Sequence, residues 1–322
     1  MEAPYHPSLT QPDVAVWKNL SWDVDLAEHK EVDSLKDHSD ESTIRLLRDF
    51  NSTKSQSFQP TIFTGWDQSD ISPLLDYYVI RPYTSWAKTV VRRPTDVVFL
   101  THILLYLSTS IPSALRLYIH FTWPHAVLHY LMQAYYCGAF TLMLHNHIHN
   151  NGVLATEYAL FDNLWPYILE PLMGHTWNSY YYHHVKHHHV ENNGPGDLSS
   201  TIRFQRDNPF HFFLYVARFI TLVWIELPLY FLRKKRTSLA IQTAVSELSS
   251  YAVIYVLARY NMRATTLVLI LPLLQMRIGM MVGNWGQHAL VDEVDPDSDF
   301  RSSITLIDVP VSNPLLLTTL PI

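Results

Sequence analysis

Up to about residue 95 the chain is polar, acidic overall and broken by Pro and Ser. Beyond that point the pattern changes to long apolar stretches joined by short polar ones. A helix needs about 20 mostly apolar residues to cross the hydrocarbon core of a bilayer. "VVFLTHILLYLSTSI" (97–111, extended through Leu115), "AVLHYLMQAYYCGAFTLML" (126–144), "SLAIQTAVSELSSYAVIYVLA" (238–258) and "ATTLVLILPLLQMRIGMMVG" (264–283) reach or approach that length. "YALFDNLWPYILEPLMG" (158–174) is too short and carries Pro166 and Pro171. The fold class this predicts is all-α, an integral membrane protein. Before the first run, Leu46 and Leu47 mark a short amphipathic helix in a segment whose first 60 residues are expected to be loosely ordered.

A fifth apolar run, 210–232, contains Arg218, Glu226 and Pro228. Basic residues favour the cytoplasmic flank of a span. Arg92 and Arg93 precede the first run, and "RKKR" (233–236) precedes the third. With both basic clusters cytosolic, residues 210–232 must lie along the interface, with Arg218 and Glu226 on one side at helical spacing. The expectation is four transmembrane helices, a cytosolic N-terminus and all the histidine clusters on the cytosolic side. A five-span alternative would place "RKKR" on the far side.

Charged residues make up only 16% of the chain, against about 25% in soluble domains, which strengthens the membrane reading. The formal net charge of −6 argues against nucleic acid as a partner. A single cysteine, Cys137, sits in an apolar run, so a disulfide framework and a CxxC metal or redox site are excluded. The N-terminus lacks the basic start and apolar core of a secretory signal.

Histidine carries the candidate chemistry. "HNHIHNNG" places His145 and His149 at i and i+4, on one helical face at the end of the second span; His147 points the other way. "NNG" then stops the helix. "YYYHHVKHHHVENNGPGD" (180–197) holds five histidines within seven positions. His184, His187 and His188 stand at i, i+3 and i+4; other registers, using His183 or His189, also satisfy one turn. "GNWGQHAL" adds His288 after the fourth span, with Asn284 one turn earlier. The usual zinc patterns are absent, as is the repeated Glu-x-x-His of soluble di-iron bundles. Clustered imidazoles suit iron, zinc or copper, and their place at a membrane face points to oxygen chemistry on a lipid chain.

In this order, "HNHIH", "HVKHH" with "NGPGDLSS", and "NWGQH" resemble the membrane-bound fatty acid desaturase superfamily, in a form found in fungi. The resemblance covers roughly residues 95 to 308, with 1–95 a polar cytosolic segment, 96–308 the membrane domain and 309–322 a divergent or truncated tail. It implies four transmembrane helices with a cytosolic cap and a centre of two iron ions held by His145, His149, His184, His187, His188 and His288. His147, His183, His189, Asn284 and Asp197 stand as second-shell groups or alternative ligands. It further implies dioxygen as co-substrate, cytochrome b5 or a similar donor with its reductase as partner, a fatty-acyl or lipid-like substrate, and the endoplasmic reticulum membrane as location. Residues 6–9 read "HPSL", not the haem signature of a fused cytochrome, so the donor is a separate protein.

Desaturation is the expected reaction; hydroxylation, epoxidation and acetylenic bond formation use the same boxes. The family's third box, HxxHH, has no counterpart here, since His288 is the last histidine and the sequence closes on "VPVSNPLLLTTLPI". A catalytically inactive, desaturase-derived membrane protein, or a truncated gene product, is therefore the rival expectation.

Overall fold

The computed structural model describes residues 71–288 without interruption, and in the N-terminal part residues 13–18, 21, 44–49, 52–55, 58 and 60–63. Residues 44–49 are helical, where Leu46 and Leu47 suggested a helix. Most of the segment expected to be loose, and the tail 309–322, lie outside the described residues. The structure is helical, with one isolated bridge between Val91 and Leu154 and no strand among the described residues.

Two compact units are present. One takes the residues up to Thr101 together with Leu154–Thr156. Its helix α1, Arg81–Val90, buries Ala87 and Val90. The returning chain is pinned beside it by Ala155 N–H donating to Val90 O at 2.9 Å.

The other unit, His102–Val153 and Glu157 onward, holds most of the long helices. These are α2 (Val97–Ile119, begun in the first unit), α3 (Trp123–Asn150), α4 (Ala159–Leu172), a π-helix (Tyr181–His188), α5 (Pro209–Arg233), α6 (Thr237–Thr265) and α7 (Leu271–Gln287). Helices α2 and α3 form an antiparallel hairpin. Ser113 Oγ lies 2.9 Å from both His125 Nε2 and His129 Nδ1, Ser110 bonds Gln133, and Tyr106 donates to Tyr136 O. Rising positions on one helix thus meet falling positions on the other. Helix α3 stops where its sequence says it should: Asn151 takes left-handed φ 55, ψ 48, which Asn tolerates best after Gly, and its N–H returns to His147 O.

Helices α6 and α7 make a second hairpin. Non-helical torsions at Asn261 (φ −149, ψ 91) break the run, and Glu247 meets Arg277 at 3.1 Å. The two bends lie together, because Tyr118 Oη is 3.0 Å from Thr265 Oγ1. Ala114, Leu117 and Ala126 share one core with Ala264, Leu267, Val268 and Leu269. All the histidine groups gather at the opposite, open end.

Helix α4 leaves that end and runs back along α3: His147 meets Trp165, Phe140 meets Trp165, and Cys137 meets Met173. At its foot Gly174 turns the chain with φ 84 against the Pro272 carbonyl. The ascending strap 175–178 is stitched to α6. Thr176 Oγ1 donates to Glu247 Oε1 at 2.8 Å, Trp177 N–H to Ser250 Oγ at 3.0 Å, and Ser246 Oγ to Trp177 O.

Three stretches are long and apolar enough to cross a membrane: Pro94–Ile119, Pro209–Arg233 and Thr237–Gln287. The third has 51 residues and doubles back at Asn261, so it supplies two lengths rather than one. Trp123–Asn150, expected as a span, falls outside this set because His125, His129, Gln133 and the terminal histidines dilute its hydropathy. Pro209–Arg233, expected along the interface, is admitted by length and composition. Its buried face (Tyr215, Phe219, Val223, Leu227, Tyr230, Phe231) packs with Ala240 near the start of α6 and with Met281 and Trp285 at the end of α7. Its other face leaves Phe210, Phe213, Leu222, Trp224, Ile225 and Leu229 exposed. Arg218 and Glu226 lie on one side of that helix, as their spacing suggested, and pair along it at 2.9 Å.

Candidate metal centre

Helix α3 delivers His145 and His149 on its last turns, with ring centroids 4.5 Å apart. The helical period alone sets that distance. The 180–191 stretch is different, because its backbone is π-helical over Tyr181–His188 and closes with His189 N–H donating to His184 O, an i→i+5 bond. The wider turn brings His184 edge-to-face with His189 rather than beside His187. Their Nε2 atoms are 3.0 Å apart and their ring centroids 4.4 Å. His184 also lies 4.8 Å from His145 and 5.3 Å from His149, and His189 lies 4.9 Å from His149. One ligand atom from each of these four histidines falls within 4.8 Å of all the others.

The expected trio His184, His187 and His188 is thus divided. His188 remains near the cluster, 5.7 Å from His184 and 5.8 Å from His189 by ring centroid. Its Nδ1 meets Asp197 Oδ2 at 2.6 Å. His187 faces the other way, buried with its ring edge-on to Tyr230 at 4.5 Å. With His183 and Asp197 it forms a separate, fully buried group, also within 4.8 Å. His288, at the end of α7, stands 6.1 Å from His188.

The remaining candidates have other occupations. His147 lies on the far face of α3, its Nε2 3.0 Å from Asp162 O and its ring against Trp165. Asn284 turns away from the histidines and donates to Ser199 O at 2.9 Å and Tyr215 Oη at 2.7 Å, tying the 197–201 loop to α5. His183 packs on Phe219 at 5.1 Å.

Electrostatics favour neutral rings. Burial first, then the crowding of His145, His189, His188 and His183, pushes His184 far below its usual pKa. Burial likewise pushes His183 down to about 3. Both present lone pairs rather than charge at neutral pH. Burial opposes the Asp197 charge, but the His188 hydrogen bond, the His188 and His183 rings and the Ser199 hydroxyl outweigh it, and its carboxyl is held below the usual carboxylate range.

The donors fit a metal. Two imidazole nitrogens bound to one ion at about 2.0–2.1 Å and a right angle sit roughly 3 Å apart, the separation found for His184 and His189. Sequence reasoning missed Tyr180, whose ring stacks on His184 at 4.9 Å and 17°. The one signal for it is its place four residues before His184. It also missed buried His175, 5.5 Å from Tyr180. Below His175 an apolar pocket opens between Pro171, Trp177, Val253, Ile254, Leu269 and Leu273.

Residues 121–318, more than half the chain, match the family model for fatty acid desaturase. No curated protein and no solved structure matches.

Proposed function

The chain belongs to the fatty acid desaturase family, and from that premise we propose that it is an oxygen-dependent membrane oxidoreductase. In this reading it introduces a double bond into a fatty-acyl or lipid-like chain. The observation that carries it is the convergence of His145, His149, His184 and His189 from two separate elements onto one point.

The geometry supports four crossings. From Ala126, beside the bends, to His145 is 19 residues of helix, about 28 Å, and the hydrocarbon core is about 30 Å thick. Helices α2 and α3 and the two arms of 237–287 cover that depth. Helix α5 packs against the α6–α7 hairpin from the histidine end as far as Arg277, which reaches Ile220 O, and its exposed apolar face suits the membrane interface. Arg233, Lys234, Lys235 and Arg236, between α5 and α6, lie at the histidine end, where Lys234 pairs with Glu191, and Arg92 and Arg93 precede α2 in the sequence. Arg116, Arg259 and Arg263 lie near the bends. The excess orients the histidines to the cytosol, in the endoplasmic reticulum membrane, where cytochrome b5 with its reductase reaches them.

His145, His149, His184, His188, His189 and His288 would hold the two iron ions, which when bound supply the oxidising power for removing hydrogen from an unactivated carbon. The protein's own residues do the rest. The lone pairs of neutral imidazoles bind, and Tyr180 fixes the plane of His184.

The test is expression of the full chain with cytochrome b5 and its reductase, with iron content and lipid profile measured together. About two irons per chain and a new unsaturated lipid are expected. The His184→Ala and His189→Ala variants should lose metal and product, while His147→Ala should keep both. Wild-type iron content in a His184→Ala/His189→Ala double variant would overturn the site. Two irons with an oxygenated lipid would replace desaturation by hydroxylation or epoxidation. Wild-type protein with neither iron nor new lipid would favour the inactive membrane protein.

A further inference from the structure

Helix α5 ends in a tight turn of consecutive cations, Arg233, Lys234, Lys235 and Arg236, all of them exposed. Arg236 N–H returns to Phe231 O at 2.8 Å and Lys235 N–H to Leu232 O at 2.9 Å. This pair of bonds closes a helix through one left-handed residue, usually glycine. Here that residue is Lys235, with φ 58. Glycine takes this conformation freely, whereas a side chain with a Cβ resists it. A residue held against its backbone preference points to a use for its side chain.

Most of this charge is unmatched. Lys234 pairs with Glu191 at 2.7 Å and lies over the Tyr230 ring. The side chains of Arg233, Lys235 and Arg236 make no ion pair or hydrogen bond among the described residues. Helix α6 sets their depth. Thr237 to the break at Asn261 is 24 residues of helix, about 36 Å. The hydrocarbon core is about 30 Å thick, or about 40–45 Å with the headgroups. The turn therefore emerges level with lipid phosphates. On the α5 side, Leu222, Ile225, Leu229 and Leu232 form one exposed stripe that runs into Arg233. An apolar stripe ending in a cluster of cations is the pattern of a helix lying on an anionic lipid surface. The stripe favours lipid over an acidic protein as the source of the counter-charge, because it holds the cations beside the headgroups.

We propose that residues 233–236 bind the headgroup of an anionic phospholipid, with Arg233, Lys235 and Arg236 as its ligands and Lys234 shared between the headgroup and Glu191. The guanidinium forks suit a pair of phosphate oxygens, and the Lys235 ammonium acts as a point charge. The site rests on the topology proposed above and is independent of the metal centre and of the reaction.

The experiment places the full chain in phosphatidylcholine nanodiscs with increasing shares of phosphatidylserine, and native mass spectrometry counts the phosphatidylserine retained. Melting curves are recorded in parallel. Each cation near an anionic surface is worth about fivefold in binding. Lys235→Gly should therefore bind about fivefold more weakly and yet melt higher, because glycine relieves the left-handed residue. Arg233→Gln/Lys235→Gln/Arg236→Gln should lose about 100-fold, and added salt should weaken wild-type binding in the same direction. Glu191→Gln frees Lys234 and should tighten binding by up to about fivefold. Wild-type retention in Lys235→Gly and in the triple variant would overturn the site. If those variants also bound cytochrome b5 more weakly, the cations would serve an acidic protein instead. Weaker retention in Glu191→Gln would equally count against the assignment. Should the triple variant not accumulate as folded protein, Lys235→Gly decides alone. Labelling of Lys235→Cys in microsomes only after permeabilisation, with nanodisc binding intact, would overturn the orientation and spare the site.

Discussion

Glu247 and Arg277 stand 30 positions apart in the chain and 3.1 Å apart in space. In one unbroken helix that separation would be about 45 Å, so the contact requires the reversal at Asn261. It also places an ion pair between two apolar helices, with the carboxylate side chain 4% exposed and the guanidinium 11%. Thr176 donates to the same carboxylate, which ties the strap leading to Tyr180 and His184 to the hairpin.

Removing one partner strands the other charge in a buried site. Glu247→Ala or Arg277→Ala should each cost about 3–5 kcal/mol. The double change Glu247→Leu/Arg277→Met should recover much of that loss, because a well-packed apolar pair needs no counter-charge. Melting in detergent measures all three. Single variants within 0.5 kcal/mol of wild type, as for an ordinary surface change, would show the pair to be hydrated.

Gly174 is the turn at the foot of α4. An added Cβ would lie 2.2 Å from Pro272 O, at a φ of 84 that side chains avoid. Gly174→Ala should therefore combine an overpacking cost of about 1–3 kcal/mol with a left-handed penalty of roughly 1–2 kcal/mol. At Gly279, in α7, nothing lies within 4 Å of a Cβ. Gly279→Ala should be neutral or stabilising by up to about 1 kcal/mol. Equal melting temperatures for the two variants would contradict the close approach of α4 to α7.

Glu191 accepts from Tyr230 Oη at 2.6 Å and pairs with Lys234 at 2.7 Å, fastening the end of the histidine stretch to the end of α5. The Lys234 hydrogen bond, then that of Tyr230, lowers its pKa from 4.5. A carboxylate depressed in the folded state adds stability that is complete above its unfolded pKa. That stability is lost as pH falls from about 4.5 through the depressed value. Glu191→Gln should flatten this part of the stability–pH curve and leave the curve above pH 6 parallel to wild type. An unchanged acid limb would mean that the contact is not held in solution.

The topology can be read with thiol labels, since Cys137 is the only cysteine and is buried. In a Cys137→Ala background, Lys235→Cys in sealed microsomes should react with an impermeant maleimide. His120→Cys, at the first bend, should react only after permeabilisation. The sequons at Asn19 and Asn51 should stay unglycosylated in the same membranes. Labelling of His120→Cys in sealed vesicles would invert the orientation.

The helices and the His145/His149 pair were legible in the sequence because both are local. An apolar run of bilayer length declares a helix by composition, and an i, i+4 pair on an α-helix meets whatever else the chain does. The stop after Asn150 was equally local, with Asn151 and Gly152 taking positive φ. The second histidine group was not legible in this way, because its spacing was read with the α-helical period and the backbone there is π-helical.

Packing from both sides accompanies that change of period. Tyr230 and Phe219 of α5 hold the rings of His187 and His183, while Asp197, reached through a loop nine residues on, holds His188. No single-helix argument contains those partners, since they come from 9 to 43 positions away in sequence. The sequence by itself determined that a membrane-length, all-helical chain carries clustered imidazoles at its helix ends. Only the tertiary structure decided that His189 joins His184, that His187 turns inward and that Asn284 serves the loop. A ring with two unlike nitrogens takes its role from the partner that reaches it first, and that partner is supplied by the fold.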